Sequence, residues 1–231
     1  MSIPENRSAV FVVIPSYNEQ TVIRSVIEDL LPYGYNVVVV DDGSENTMNG
    51  LLHDLPVYLL RHPVNLGQGA AIQTGLEFAL SKNAEYIITF DADGQHLAAD
   101  IEKLLEPLAS GKADIVLGSR FMKGAAHNMP AKRKTLLQIG RRLNYLFTGL
   151  LLTDAHNGLR AISRKAAMKI HITENRMAHA TELLSIIKKN KLRYTEVPVT
   201  VTYTAYSRKK GQALGSSFRI VFDLLLNKIF R

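Results

Sequence analysis

The run Asp91-Ala92-Asp93-Gly94-Gln95 sets two carboxylates one residue apart, with a neutral amide oxygen two positions on and His96 adjoining. Two carboxylates held close together repel unless a cation offsets them. Their hard oxygens suit Mg2+ or Mn2+, usually shared with the phosphates of a substrate. Asp is also common in caps and turns, so the pair takes its meaning from its companions. A second acidic pair, Asp41-Asp42, precedes Gly43-Ser44. It can accept from base N–H groups or ribose hydroxyls, or simply form a turn. Asn65-Leu66-Gly67-Gln68-Gly69-Ala70-Ala71 permits close backbone approach at a helix start, but carries only half of a dinucleotide fingerprint.

The elements that must position these groups are legible around them. Val10 to Ile14 is an apolar run ending at Pro15, and Val37 to Val40 is another, ending in Asp41-Asp42. Val57 to Leu60, Tyr86 to Phe90 and Ile115 to Leu117 read as three further strands. Helical spacing appears over Glu19 to Leu31, Gly67 to Leu80 and Ala98 to Leu108. Strands apolar on both faces and alternating with helices predict an α/β fold, a mostly parallel sheet flanked by helices. Ligands in such sheets bind beyond the carboxyl ends of the strands. The polar clusters Ser16-Tyr17-Asn18-Glu19, Asp41-Asp42, Asp91-Ala92-Asp93 and Ser119-Arg120 all fall there.

After Arg120 the texture changes. Lys123 to Lys134 reads as a basic loop leading into a helix over Leu136 to Leu152, whose last apolar stretch, from Leu146, is expected to pack in the core. A short strand over Leu159 to Ile162, a helix over Ala178 to Asn190 and a strand over Thr195 to Tyr203 interrupted by Pro198 follow. Residues 1–119 hold 6 Lys/Arg against 16 Asp/Glu, and residues 120–231 hold 22 against 5. So polarised a chain sets a basic half toward something anionic. The absence of cysteine excludes disulfides, thiolate zinc sites and a cysteine nucleophile. Met1 to Ala9 has no apolar signal core, and no stretch reaches the ~18 apolar residues of a membrane span. With no Trp and no nucleic-acid motif, nucleic acid is not an expected partner.

Pro15-Ser16-Tyr17-Asn18-Glu19, Asp41-Asp42-Gly43-Ser44, Asn65-Leu66-Gly67-Gln68-Gly69-Ala70, Asp91-Ala92-Asp93-Gly94-Gln95-His96 and Gly118-Ser119-Arg120 stand in the order and spacing of glycosyltransferase family 2. With Asn157-Gly158-Leu159-Arg160 and Arg208-Lys209-Lys210-Gly211, the chain most resembles the dolichol-phosphate mannosyltransferase and polyprenyl-phosphate glycosyltransferase branch. That resemblance implies a GT-A type, Rossmann-like fold and inverting transfer from a nucleoside diphosphate sugar. It assigns donor binding to Pro15, Tyr17, Glu19, Asp42, Gly67, Gly69, Asp91, Ala92 and Asp93. Asp91, Asp93 and Gln95 would hold Mg2+ or Mn2+. Arg120, Arg133, Arg208 and Lys209 would bind an acceptor phosphate, with Asp93, Arg120 and Arg208 at the chemistry.

A lipid phosphate is already ionised near neutral pH and needs cations to hold it, whereas a sugar hydroxyl needs a general base. Glu182 is the obvious base candidate beyond residue 120, against a plain structural role. The expected organisation is a catalytic domain over 1–213, with donor half 1–119 and acceptor half 120–213. A C-terminal amphipathic helix over 214–231 could lie in the membrane interface or pack on the domain or a second subunit. The expected setting is cytoplasmic, peripheral at the inner face of the membrane, with a polyprenyl phosphate lipid and a membrane-anchoring partner, and a homodimer is compatible. Competing readings are transfer to a hydroxyl of a growing glycan and a non-catalytic nucleotide-sugar-binding subunit.

Overall fold

The structure, a computed structural model, describes residues 6–128, 131–176 and 178–204. Seven strands form one sheet: β1 (Val10–Ser16), β2 (Asn36–Asp41), β3 (Val57–Arg61), β4 (Tyr86–Thr89), β5 (Ile115–Ser119), and, further along, β7 (Arg160–Ser163) and β8 (Tyr194–Pro198). Their order is β3-β2-β1-β4-β7-β5-β8, parallel except for β7, which runs antiparallel to β4 and β5. The expected mostly parallel sheet is therefore present. A short β6 (Ala126–His127), inside the stretch expected to be loop, pairs with β9 (Thr200–Val201). The expected strand over Thr195 to Tyr203 breaks because Pro198 ends the pairing with β5, while Val199 N–H still reaches the Ser119 carbonyl at 3.0 Å.

The central strands are buried on both faces, which is why they lack polar alternation, while the edge strands β3 and β8 are only partly covered. Val10, Val12 and Ile14 pack into one core with helices α1 (Ile23–Leu30) and α4 (Asp100–Ala109). Phe11 and Val13 pack into the other with α3 (Gln68–Ser81) and α7 (His179–Lys189). Short helices α2 (Asn49–Leu52) and α6 (Arg164–Ala167), too brief to leave a period in the sequence, complete the connections. α1 starts later than its apolar spacing suggests. Asn18 is left-handed at φ 55°, and the Glu19 carbonyl takes the Val22 and Ile23 N–H groups at 3.0 Å, so the chain turns there first.

α5 (Ala131–Thr148) begins five residues before the expected Leu136 and stops at Thr148, followed by Gly149 at φ 69°. This corrects the expected core role of the stretch from Leu146. Leu152 is buried, but Leu146 and Leu151 are 72% and 59% exposed. The helix ends between them, so apolar character alone could not place both on the packed side. The C-terminal helix expected over 214–231 lies outside the described residues.

Candidate active site

A cavity of about 640 Å³ opens past the C-terminal ends of the parallel strands. Pro15 and Ser16 at the end of β1 line it with Tyr17 and Glu19; Asp42 follows β2, and Asn65, Gly67, Gln68 and Ala71 come from the start of α3. Asp91, Ala92, Asp93, Gln95 and His96 follow β4, and Arg120 follows β5. His156, Asn157, Gly158, Arg176 and Val201 form the remaining wall. Residues scattered over the first 120 positions thus meet because each sits where a strand ends.

Asp42 is buried, and its carboxylate is already occupied. Oδ1 accepts from His62 Nδ1 at 2.7 Å and Leu66 N–H at 3.0 Å; Oδ2 accepts from Gly67 N–H at 2.7 Å and Asn65 Nδ2 at 3.0 Å. The residue therefore fastens the glycine loop to the end of β2. His62 is oriented from its other side by Thr74 Oγ1 at 2.9 Å. Gly67 adopts φ 111°, a conformation open mainly to glycine, and a Cβ there would fall 2.3 Å from the Asn175 carbonyl oxygen. Gly69 does not line the cavity. Its N–H donates to Asn175 O at 2.7 Å, which binds the α3 start to the segment before α7.

Asp91 receives Gln68 Nε2 at 3.2 Å and His96 Nε2 at 3.1 Å. Burial opposes its ionisation, but the His96 hydrogen bond and the nearby charges, Arg160 among them, outweigh it and hold its pKa below the ordinary value. Asp93 behaves oppositely. Burial and then the Asp91 charge push its carboxyl up. Gln95 gives Asp93 both its side-chain amide and, at 3.1 Å, its backbone N–H. The pair is thus an anionic site with an unmet charge, which a divalent cation fits. The Gln95 amide oxygen makes no hydrogen bond among the described residues. His96 Nδ1 and Asn157 Nδ2 are buried without partners among those residues. No three His, Asp or Glu side chains converge as a protein-only cage among them, so a cation here would take further oxygens from Gln95, water or a bound phosphate.

Arg120 reaches the cavity wall, yet its guanidinium is clamped. Asp154 takes Nε at 2.6 Å and a terminal nitrogen at 2.8 Å, and Tyr203 Oη takes another at 3.0 Å. Burial disfavours its charge, but the Asp154 ion pair more than compensates and raises its pKa. Arg133 falls in the first turn of α5 with its side chain outside those described; Arg208 and Lys209 also lie outside the described residues. Glu182 does not line the cavity. It accepts from the Thr173 and Glu174 N–H groups at 2.8–3.0 Å, so it anchors the loop before α7.

His156 and Arg176 were not singled out by the sequence. Asn157 and Gly158 were visible only as part of a familiar segment. Gly158 has a sharp structural reason: a Cβ there would lie 2.2 Å from Asp91 Oδ2. Arg176 sits in a polar stretch with no periodicity, and only the fold brings it beside Gly67 at the cavity wall.

The family model described as Glycosyl transferase family 2 matches residues 11–171. A UDP-N-acetylglucosamine–dolichyl-phosphate N-acetylglucosaminyltransferase of Methanococcus voltae is 34% identical over 242 residues, covering 95% of this chain and 96% of that protein. A polyprenol monophosphomannose synthase of Mycolicibacterium smegmatis is 28% identical, covering 83% of this chain and 76% of the relative. Among solved structures, glucosyl-3-phosphoglycerate synthase from Mycobacterium tuberculosis, in complex with Mn2+, uridine diphosphate and phosphoglyceric acid, superposes with a TM-score of 0.71. It covers 95% of this chain and 78% of its own at 18% identity, a likeness of fold, here GT-A.

Proposed function

This chain belongs to glycosyl transferase family 2, and on that footing we propose that it moves a sugar, with inversion, from a nucleoside diphosphate sugar to a polyprenyl, dolichyl-type phosphate. The observation that carries the choice of acceptor is a distribution of charge. Every carboxylate lining the cavity, Glu19, Asp42, Asp91 and Asp93, comes from the first half of the chain. The wall supplied by residues 120–204 brings Arg120, His156, Asn157, Gly158, Arg176 and Val201, with no carboxylate among them. A hydroxyl acceptor would need a base on that side, where His156, kept neutral by burial, is the one titratable group among the described residues that could serve; an ionised phosphate needs no base and meets the cations Arg120 and Arg176 there. The activities named for the two relatives point the same way.

The donor half supplies the nucleoside side: Tyr17 at the mouth, Asp42 stiffening the Asn65–Gly67 loop, and Asp91 and Asp93 toward the diphosphate. Asp91, Asp93 and Gln95 would hold Mg2+ or Mn2+, which when bound offsets the charge that develops on the departing diphosphate. Asp154 keeps Arg120 charged and fixed at the opposite wall. Arg133, Arg208 and Lys209 complete the proposed phosphate-binding set. Among the described residues no helix is long and apolar enough to cross a membrane. The outer side of α5 exposes Ile139, Tyr145 and Leu146 around Arg142, with Leu151 just beyond. The segment 131–148 carries five Lys/Arg and no acid. That combination suits contact with an anionic lipid surface, where such an acceptor resides.

The test is a matrix of GDP- and UDP-sugars with Mg2+ or Mn2+ and a short polyprenyl phosphate, with products identified by mass. A sugar-phosphate-linked lipid is expected. No product with any donor, together with no donor binding, would overturn the reading.

A further inference from the structure

We propose that Arg176 is the cation that engages the diphosphate of the donor. The inference deepens the proposed function and rests on it. Two cationic side chains line the cavity among the described residues, Arg120 and Arg176. Arg120 is buried, held by both oxygens of Asp154 and by Tyr203. Arg176 is exposed at the cavity wall, and its guanidinium has no hydrogen bond or ion pair among the described residues. Three of the five Arg120 N–H donors are thus engaged and its position is fixed, whereas the whole Arg176 fork is open to a ligand.

Its backbone is fixed from three directions although its side chain is not. The Arg176 carbonyl accepts from His179 Nδ1 at 2.7 Å and His179 N–H at 3.2 Å. The preceding Asn175 carbonyl accepts from Gly69 N–H at 2.7 Å. Glu182 draws in the Thr173 and Glu174 N–H groups. Glycine at 67 and 69 is what allows this approach: a Cβ at either would come within 2.1–2.3 Å of the Glu174 or Asn175 carbonyl oxygen, and the Arg176 Cγ lies 3.1 Å from the Cβ position of Gly67.

This attachment decides between the two phosphate sources in the reaction. The segment that carries Arg176 is bonded through the Asn175 carbonyl to Gly69, next to the Asn65–Gly67 loop that Asp42 grips, and the same α3 start supplies Gln68 to Asp91. It is attached to the donor side of the cavity. A guanidinium fork there can take two phosphoryl oxygens at once, beside the carboxylates that face the same diphosphate.

The experiment is equilibrium binding of UDP and GDP, and of the matching nucleosides, to the full chain with Mg2+ or Mn2+, in wild type, Arg176→Gln and Arg176→Lys. Arg176→Gln is expected to weaken nucleoside diphosphate binding by roughly tenfold or more and to leave nucleoside binding unchanged, with Arg176→Lys in between. Diphosphate binding within twofold of wild type would overturn the inference. So would an equal loss for the nucleoside, which would mark a structural role. A rise confined to the KM for polyprenyl phosphate would overturn it too, by assigning the cation to the acceptor. Failure of the wild type to bind any nucleoside diphosphate would instead remove the functional reading beneath it, and this inference with it.

Discussion

Asp154 grips Arg120 across 34 residues of chain, Oδ2 to Nε at 2.6 Å and Oδ1 to a terminal nitrogen at 2.8 Å, and takes the Arg120 backbone N–H at 3.1 Å. Glu196 holds the loop that carries Asp154, accepting from the Thr153 N–H at 2.8–2.9 Å and the Asp154 N–H at 3.1 Å. The first cation of the basic half is thereby matched by one of that half's few acids. The charge excess of residues 120–231 does not by itself deliver free cations to the cavity; the fold decides which remain available.

Removing Asp154 leaves a buried guanidinium uncompensated. Asp154→Ala is expected to destabilise the fold by about 3–5 kcal/mol, and Arg120→Met with Asp154→Leu by much less, since no charge is then stranded. Urea titrations with a common slope would show this. Equal midpoints for wild type and Asp154→Ala would mean that water solvates Arg120 unaided.

Gly158 and Asp91 form a second tight contact. A methyl group at 158 would meet the whole Asp91 carboxyl, with both oxygens and Cγ within 2.5 Å of the Cβ position. Asp91 must swing away, leaving the Gln68 and His96 donors. Gly158→Ala is expected to cost about 1–3 kcal/mol of stability and to weaken metal-dependent binding of UDP or GDP by on the order of tenfold, measured by calorimetry with Mn2+. Unchanged binding would show that Asp91 does not work from its observed rotamer.

The sequence carried the first half well because both of its signals are local. An apolar run such as Val37 to Val40 marks a strand, and the polar residues after it mark the site. Pro15, Tyr17, Glu19, Asp42, Gly67, Asp91, Ala92, Asp93, Gln95 and Arg120 all reach one cavity on that logic. The second half is harder to read because its contacts are long-range. β7 enters the sheet antiparallel between β4 and β5, a pairing that no local period announces. Arg176 reaches the cavity through a backbone bond to a glycine over 100 residues away. Helix bounds also failed where capping, not periodicity, sets the end, as at Thr148.

Asp93 sits in a costly environment, its carboxyl pushed up by burial and by Asp91. Asp93→Asn relieves that repulsion. The metal-free variant is expected to be more thermostable than wild type by a few degrees, with transfer activity down by on the order of 100-fold or more, the usual opposition between stability and a charged site. Thermal unfolding in EDTA alongside turnover with Mn2+ tests both halves. A less stable variant would mean that Gln95 already offsets the charge.

Glu182 distinguishes an anchor from a base. Its carboxylate is occupied by Thr173 and Glu174 and lies off the cavity. Glu182→Gln keeps the shape but weakens the N–H bonds that set the loop carrying Arg176. The expected outcome is a several-fold higher KM for the donor, with the pH profile of kcat unchanged. Loss of turnover at every pH with donor binding intact would reinstate the hydroxyl-acceptor chemistry.

His179 makes stability depend on acid. Burial, and then the Arg160 charge, press its pKa down to about 4. Its Cβ lies 2.9 Å from the Cβ position of Gly69, so the ring is packed against the α3 start. Because the folded pKa is below the unfolded value of about 6.5, the unfolded chain binds more protons between the two. The stabilisation from keeping the ring neutral is therefore complete above about pH 6.5 and is lost as pH falls toward and through 4. His156, also held low by burial, acts in the same direction. Wild type is expected to lose on the order of 2–3 kcal/mol between pH 7 and pH 4 from His179 alone. His179→Gln should be less stable at pH 7 and show a slope shallower by up to about one proton across that interval. Parallel slopes for the two proteins in urea titrations at pH 7, 5.5 and 4 would assign the acid sensitivity to His156.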